Sequence, residues 1–463
     1  MHGGNPSLSI DITTALSAAG GVEQQKRLIG KWLDKDRATA RAFWDYVQEC
    51  GGLAIGDWKL VADSAQVTAV LQDHAAFSVA EYNERMRATS GRFFLGMDGI
   101  EHDRDAKLGA IIPSWNRFNQ PSYPDPDALR DVHDTAAAVT CSVLAGLARR
   151  TEIARLTYAR AECQVKSIEL FGPVLDACAA RFFGVPGHSA YSLFAWAKDV
   201  TWFHFRVYAD KQVDQSPAEH ASAQYRQHVL SLIAALPPEP RSGEEEDLPA
   251  DVKRLREVVN QLRRLLGPDA RDEDVARNLI GIMMGSLTAT FKAFIEALLV
   301  QARQLGSDRI AWPEVAPSAN PAASGCPYAQ AHALPSFPHY DALIATPLAR
   351  AKRGSLDTVY RKYQGTSETM LGNLTVVPKD LVIVWLGGTL DPAKPEQQDN
   401  LFGIGVHKCP GMDMGKAILN GVMSVLSQVR GIDAPRRRAM EGDLALVFDN
   451  VAALKTLKPG SLV

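Results

Sequence analysis

The sequence predicts a mainly α-helical fold with small β-sheets, and three observations carry that expectation. Apolar residues recur at helical spacing over most of the 463 residues. The longest such run, Asp272–Gly306, is apolar on nearly all sides, as a helix buried through the middle of a fold must be. Strand-like stretches are short and bounded by glycine, as in Leu53-Ala54-Ile55 and Trp58–Ala62 around Gly56-Asp57.

Composition narrows the function classes. With 46% hydrophobic residues, 22% charged residues and a net charge of −3, the chain has no basic excess, so nucleic acid is not an expected partner. Cys50, Cys141, Cys163, Cys178, Cys326 and Cys409 show no paired spacing, as expected in a reducing compartment, and a cytoplasmic location follows. No basic segment followed by an apolar run opens the sequence, and eighteen apolar residues never run together, so no membrane span is expected. The length suits one large domain over 1–463, built around a cofactor.

Taken in order, residues 1–50 read as an N-terminal helical extension with one amphipathic helix from about Val22 to Gln48. The hairpin after Gly51-Gly52 leads to a helix over Ser64–Gln72. From Asp127 to Phe205 helix follows helix, with Leu144, Leu147, Leu156, Ile168, Leu170 and Phe171 at helical spacing and a stop at Phe182–His188. Residues 237–247 read as a polar, breaker-rich loop, and the Pro- and Ala-rich residues 311–338 read as an irregular insertion. Met370–Val384 suggests a hairpin, Met414–Val429 a helix with Ala417, Ile418, Val422 and Leu426 inward, and Asp443–Thr456 a closing hairpin.

The densest chemical signal is a loop. Phe402, Gly405, His407, Cys409 and Gly411 stand at the spacing Phe-x-x-Gly-x-His-x-Cys-x-Gly, immediately before the helical pattern from Met414. A lone cysteine is ordinarily a buried structural thiol. Five specified positions make a chance match in a chain of this length rarer than about one in a thousand. A zinc site is not supported, because no second Cys/His pair with ligand spacing accompanies His407 and Cys409.

This loop resembles the haem-binding loop of the cytochrome P450 family. The resemblance implies the cytochrome P450 fold, with haem b between the long central helix and the Cys loop and Cys409 as axial ligand of the iron. A thiolate ligand donates electron density to iron and favours O–O cleavage, which is why that position must be cysteine. Glycine at 405 and 411 permits positive φ and close approach of the main chain. Phe402 would shield the sulfur, and the resemblance puts His407 on a haem propionate. Without an anchor segment, the chain resembles the soluble bacterial members.

Weaker matches lie elsewhere. Phe-Leu-Gly-Met-Asp at 94–98 with Glu101-His102 resembles the family's entry to its third helix, implying a propionate role for His102; the arginine usual four residues on is Ala106 here, so Arg104 or Lys107 takes the cationic role. Arg361 matches another propionate-binding position. Trp202 to Phe205 lie on helices that cover the substrate pocket in the family. Gly285-Ser286-Leu287-Thr288 aligns with the segment that crosses the haem, matching Gly285 and the catalytic Thr288 but placing Leu287 where an acid is usual. Leucine cannot donate a proton, so Thr288, with Ser286 and Thr290, must serve alone, or the oxidant must already carry an O–O bond. The family's Glu-x-x-Arg is missing: the aligned positions are Ala349 and Lys352, or only the acid Asp341. The stretch from Pro392 to Phe402 is also trimmed.

Three functions follow. The first is a monooxygenase of hydroxylase or epoxidase type acting on a lipophilic small molecule, with electrons from a separate ferredoxin or flavodoxin docking near Lys408 and Lys416. The second is a peroxide-using peroxygenase, or a hydroperoxide isomerase or lyase, for which Leu287 and the missing ion pair argue. The third is a non-catalytic haem-binding protein.

Overall fold

A computed structural model describes the chain except for residues 1–10, 36, 113–125, 160, 189–192, 209–213, 239–246, 305–308, 311, 313–314, 316–335, 351–357, 392–393, 430, 434–443 and 460–463. Most of the Pro- and Ala-rich stretch at 311–338, and Lys352, therefore lie outside the described residues. The contacts separate into two units, each assembled from three pieces of chain: Met1–Arg104, Val200–His220 and Lys352–Lys408 in the first, and Asp105–Asp199, Ala221–Ala351 and Cys409–Val463 in the second.

The first unit is built on a five-stranded sheet. β1 (Leu53–Ile55) and β2 (Trp58–Val61) form the expected hairpin, with Ile55 opposite Trp58 and Gly56 turning at φ +58°. β2 then pairs in parallel with β9 (Leu381–Trp385), which pairs antiparallel with β6 (Thr358–Tyr363), and β6 with β3 (Phe77–Ser78). A hairpin over 370–384 was expected. The observed hairpin is shorter, β7 (Thr369–Leu371) and β8 (Leu374–Val376), because Leu381–Trp385 is drawn into the larger sheet, where Val382 to Trp385 are buried.

On this sheet lies α4 (Ser64–Gln72), at the predicted bounds. Asp63 caps it by accepting from the Ala65 and Gln66 N–H groups. Its Val67, Val70 and Leu71 join Val61, Val382 and Val384 in the core, and Ile404 of the cysteine loop packs against that cluster. The single helix expected over 22–48 is two, α2 (Val22–Lys35) and α3 (Arg37–Glu49), preceded by α1 (Ile12–Ala18). Trp44 of α3 stacks on Trp385 with centroids 5.9 Å apart, tying the N-terminal helices to β9.

The second unit is helical. Its elements are α7 (Pro126–Thr157), α8 (Ser167–Phe183), α11 (Ala250–Leu266), α12 (Asp272–Gln304) and α15 (Met412–Leu426). Gly184, at φ +70°, ends α8 where the sequence places a stop. Gly421 lets α15 cross α7 closely: a Cβ there would stand 2.4 Å from the His133 carbonyl oxygen. α12 is long and apolar enough to cross a membrane by length and composition, but its apolar window is mostly buried, as a core helix requires. Leu156 is exposed, contrary to its apolar spacing.

A small sheet completes the unit: β4 (Gln164–Lys166), β11 (Ala445–Phe448), β10 (Ile432–Asp433) and β5 (Arg309–Ile310). Among the described residues of 443–456 no closing hairpin forms. β11 pairs with β10 and β4, and the chain beyond it turns into a short helix at Ala453–Lys455.

Candidate haem site

The cysteine loop begins in the first unit. A 3-10 stretch over Pro395–Phe402 ends at Gly403, and a second short one covers Gly405–His407. Gly403 and Gly405 hold φ of +85° and +77°, which only glycine adopts at low cost. Gly405 is also pressed against the end of α4, where a Cβ would meet the Leu71 carbonyl oxygen at 2.6 Å. Phe402 is half-buried.

His407 is fixed by a network absent from its own neighbourhood in sequence. Its Nε2–H donates to Asp98 Oδ1 at 3.1 Å, and Asp98 Oδ2 accepts from Ser78 Oγ at 2.6 Å and the Val79 N–H at 3.0 Å. Burial opposes the charge on Asp98, but these donors, His407 foremost, hold its carboxyl below the usual range. Burial, with Arg361 and His102 adding, pushes His407 down to about 4 against the pull of Asp98. The imidazole is therefore neutral at pH 7. Its Nδ1 is buried and has no hydrogen-bond partner.

Two other expected residues join it. The buried ring of His102 meets His407 edge-on at 4.7 Å. Arg361, 6% exposed, donates to the Tyr360 carbonyl at 2.9 Å and bonds the Tyr82 hydroxyl. No carboxylate among the described residues stands within ion-pair distance of it. Arg104 and Lys107 point to solvent instead. Asp98, which organises the cluster, sits inside the quoted Phe-Leu-Gly-Met-Asp stretch but was not singled out by sequence. Only its place beside residue 407 reveals the role.

The second unit holds the cysteine itself. Cys409, half-buried, is separated from α15 by two residues, Pro410 and Gly411, so the free N–H groups of that helix's first turn begin close after it. Gly411 departs from expectation: its φ is −92°, open to any residue. A Cβ there would meet Ser286 Oγ at 3.4 Å and Cys409 Sγ at 4.0 Å. On α12, Ser286 Oγ donates to the Ile282 carbonyl at 3.0 Å, Thr288 Oγ1 to Met284 at 3.0 Å and Thr290 Oγ1 to Ser286 at 2.6 Å. Gly285 lies on the same turn, and the side chain of Leu287 is outside the described residues.

The end of α9 (Leu193–Phe205) is an anchor: Arg85 donates to the carbonyls of Phe203, His204 and Arg206, and the Tyr360 phenol donates to that of His204. Phe203 is buried, Phe205 packs on Tyr82 at 5.1 Å, and exposed Trp202 lies under the Arg206 guanidinium, so these residues are held by structure. Lys408 and Lys416 are half-covered, the second with its ammonium 5.9 Å from the Tyr340 ring. Asp341 lies exposed in a π-turn, and the side chain of Ala349 is outside the described residues.

Each unit holds donors that suit part of a haem. In the second a half-buried thiol stands at a helix N-terminus, where a thiolate is stabilised, and in the first the buried Arg361 guanidinium, with no ion pair among the described residues, suits a carboxylate, whereas His407 Nδ1 donates to one only when protonated.

No family model matches the sequence, and no curated protein does. Solved structures do. The open cytochrome P450 EryK from S. erythraea matches with a TM-score of 0.59 at 14% identity, over 90% of this chain and 97% of that one. Cytochrome P450 CYP109Q5 from Chondromyces apiculatus matches with 0.58 at 12% identity, over 94% and 98%. P450BioI, in complex with a hexadec-9Z-enoic acid-ligated acyl carrier protein, matches with 0.60 at 12% identity, over 91% and 100%. Likeness of this extent at such low identity speaks for architecture, and the chain has the cytochrome P450 fold.

Proposed function

We propose that the protein is a haem-thiolate oxidoreductase in which Cys409 would hold the iron of a haem b, acting as a monooxygenase on a lipophilic small molecule. The observation that carries this reading is Cys409, set in the Phe-x-x-Gly-x-His-x-Cys-x-Gly loop at the head of α15, in a chain of this fold. When bound, the haem supplies dioxygen activation: one oxygen atom enters the substrate and the other leaves as water, with two electrons and two protons consumed. The electrons come from a separate ferredoxin or flavodoxin in the cytoplasm, since the chain carries no flavin or nicotinamide fingerprint. A lipophilic substrate is in keeping with the fatty acyl group held in the P450BioI complex.

The chain's own residues divide the work. N–H groups at the start of α15 stabilise the Cys409 thiolate, Gly405 and Gly403 shape the loop, and Phe402 limits water around the sulfur. Arg361, the permanent cation, and His102 would take the carboxylates of the cofactor, and His407, whose one proton as a neutral ring lies on Asp98, would join them only on taking up a second proton at Nδ1. On α12 each hydroxyl is already spent as a donor to its own helix. To pass a proton, Ser286, Thr288 or Thr290 must accept one from water and release its own, giving up a bond worth about 1 kcal/mol.

That cost, with Leu287 in place of an acid, favours a second reading in which a peroxide or lipid hydroperoxide is the oxidant and proton delivery matters less. The test supplies the haem-loaded protein with a surrogate ferredoxin and reductase, or with hydrogen peroxide or a lipid hydroperoxide, across a substrate panel. Product only with electrons supports the monooxygenase, and product only with peroxide supports the second reading. Product with neither leaves a non-catalytic haem protein. A Cys409→Ala protein that keeps the Soret spectrum of the parent overturns all three.

A further inference from the structure

The C-terminal end of α7 carries a surface that neither the core nor the candidate haem site uses. Three of the nine exposed large hydrophobic side chains among the described residues fall within six positions there: Ile153 is 66% exposed, Leu156 87% and Tyr158 71%. Single exposed apolar side chains are ordinary, whereas a contiguous group of them marks an interaction surface. Packing of the helix does not account for the group. Successive residues turn by about 100°, so Leu144, which is fully buried, leaves the axis about 180° from Ile153.

The charges around this stripe share one sign. Arg149 and Arg150, both exposed, stand one turn before Ile153, about 40° to one side of it and about 60° to the other, with Leu156 about 60° away on the Arg149 side. Neither guanidinium has an ion pair among the described residues. Glu152, the one acid between Arg149 and Tyr158, is paired with Lys455 at 2.5 Å. Arg155 leaves the far side of the helix and donates through Nε to the Ala161 carbonyl at 3.1 Å, while the Tyr158 N–H donates to the Ala154 carbonyl at 2.7 Å. The helix end is thus tied down, and two cations flank a preformed apolar stripe.

We infer that the last turns of α7, from Arg149 to Tyr158, rest on an anionic phospholipid surface, with Ile153, Leu156 and Tyr158 entering the headgroup layer and Arg149 and Arg150 on the phosphates. Charge complementarity selects this occupant: such a surface sets phosphates above acyl chains, the order in which guanidinium and aliphatic groups stand here, and a phenol suits the boundary between them. Arginine also pairs with phosphate through two parallel hydrogen bonds. The contact is peripheral and reversible, since two cations and three side chains make a weak anchor. It stands apart from the haem-thiolate reading and uses none of the residues of that site.

Two arms test this on the full-length protein. In the first, it is sedimented with sucrose-loaded vesicles of phosphatidylcholine alone or of equimolar phosphatidylcholine and phosphatidylserine. Partitioning onto the anionic vesicles should exceed that onto the neutral ones about tenfold and fall as salt is added. The doubly substituted Ile153→Ser, Leu156→Ser and Arg149→Gln, Arg150→Gln proteins should each lose about tenfold, while melting like the parent because the altered side chains are exposed. Arg263→Gln, Arg264→Gln removes the same charge from the exposed face of α11 and should match the parent within about twofold. No sedimentation, equal binding to both vesicles, parent-like binding of either α7 variant, or an equal loss in the α11 variant overturns the inference. In the second arm, sedimentation velocity without lipid should show a monomer. A dimer that Leu156→Ser dissociates assigns the stripe to a second copy of the chain and overturns it as well.

Discussion

His407 Nε2 and Asp98 Oδ1 are hydrogen-bonded at 3.1 Å across 309 positions of sequence. The same carboxylate holds Ser78 and the Val79 N–H, so one side chain ties the cysteine loop to the start of α5 (Ala80–Ala88). Asp98→Ala strips a partner from three donors at once. It is expected to cost about 2–3 kcal/mol, against about 1 kcal/mol for Ser78→Ala, read from urea unfolding midpoints. Equal losses for the two variants would show that Asp98 is not the hub.

Two glycines of the loop should respond oppositely to a methyl group. Gly405 combines φ +77° with a backbone oxygen 2.6 Å from any added Cβ, so Gly405→Ala should lower stability by about 2 kcal/mol or more. Gly411, at φ −92° and with ordinary contact distances, should lose less than about 1 kcal/mol in Gly411→Ala. Thermal melts of the two proteins make the comparison.

Arg361 and Arg104 separate a buried cation from a solvated one. If Arg361 holds a cofactor carboxylate, Arg361→Gln should release haem to apomyoglobin about tenfold faster or more, the equivalent of a charge-assisted hydrogen bond. Arg104 is exposed, and Arg104→Gln should match the parent within about twofold. Indistinguishable release from the two variants removes Arg361 from the site.

Acid should weaken the fold through His204. Burial, with Arg85 adding, pushes this imidazole down to about 3, and the groups facing it are Arg85, the Thr89 hydroxyl and the ring of Phe203. Between that value and the free value of 6.5, the unfolded chain binds a proton that the folded chain refuses. The stability is thus intact above pH 6.5 and lost as pH falls toward 3, by up to about 1.4 kcal/mol per unit from this group. Unfolding midpoints from pH 7 to 4 should fall less steeply in His204→Gln; parallel slopes would assign the acid sensitivity elsewhere.

Sequence determined what depends on near neighbours. The bounds of α4, the β1–β2 hairpin, the stop after α8 and the run of α12 follow from capping residues, turn glycines and apolar period, all of which act over a few residues. The spacing around Cys409 belongs with them, because a loop that places a thiol at the head of a helix is specified within a dozen positions. The split between α2 and α3 and the loss of the closing hairpin were not legible there, since strand pairing and helix ends are settled by what the chain meets on folding.

The tertiary structure decided what depends on distant partners. Arg104 and Arg361 are the same residue type, and only burial against Tyr82 and Tyr360 distinguishes a cation held in the interior from one at the surface. Side-chain chemistry is written in the sequence; which side chains share a space is set by packing, in which each element's orientation answers to all the others.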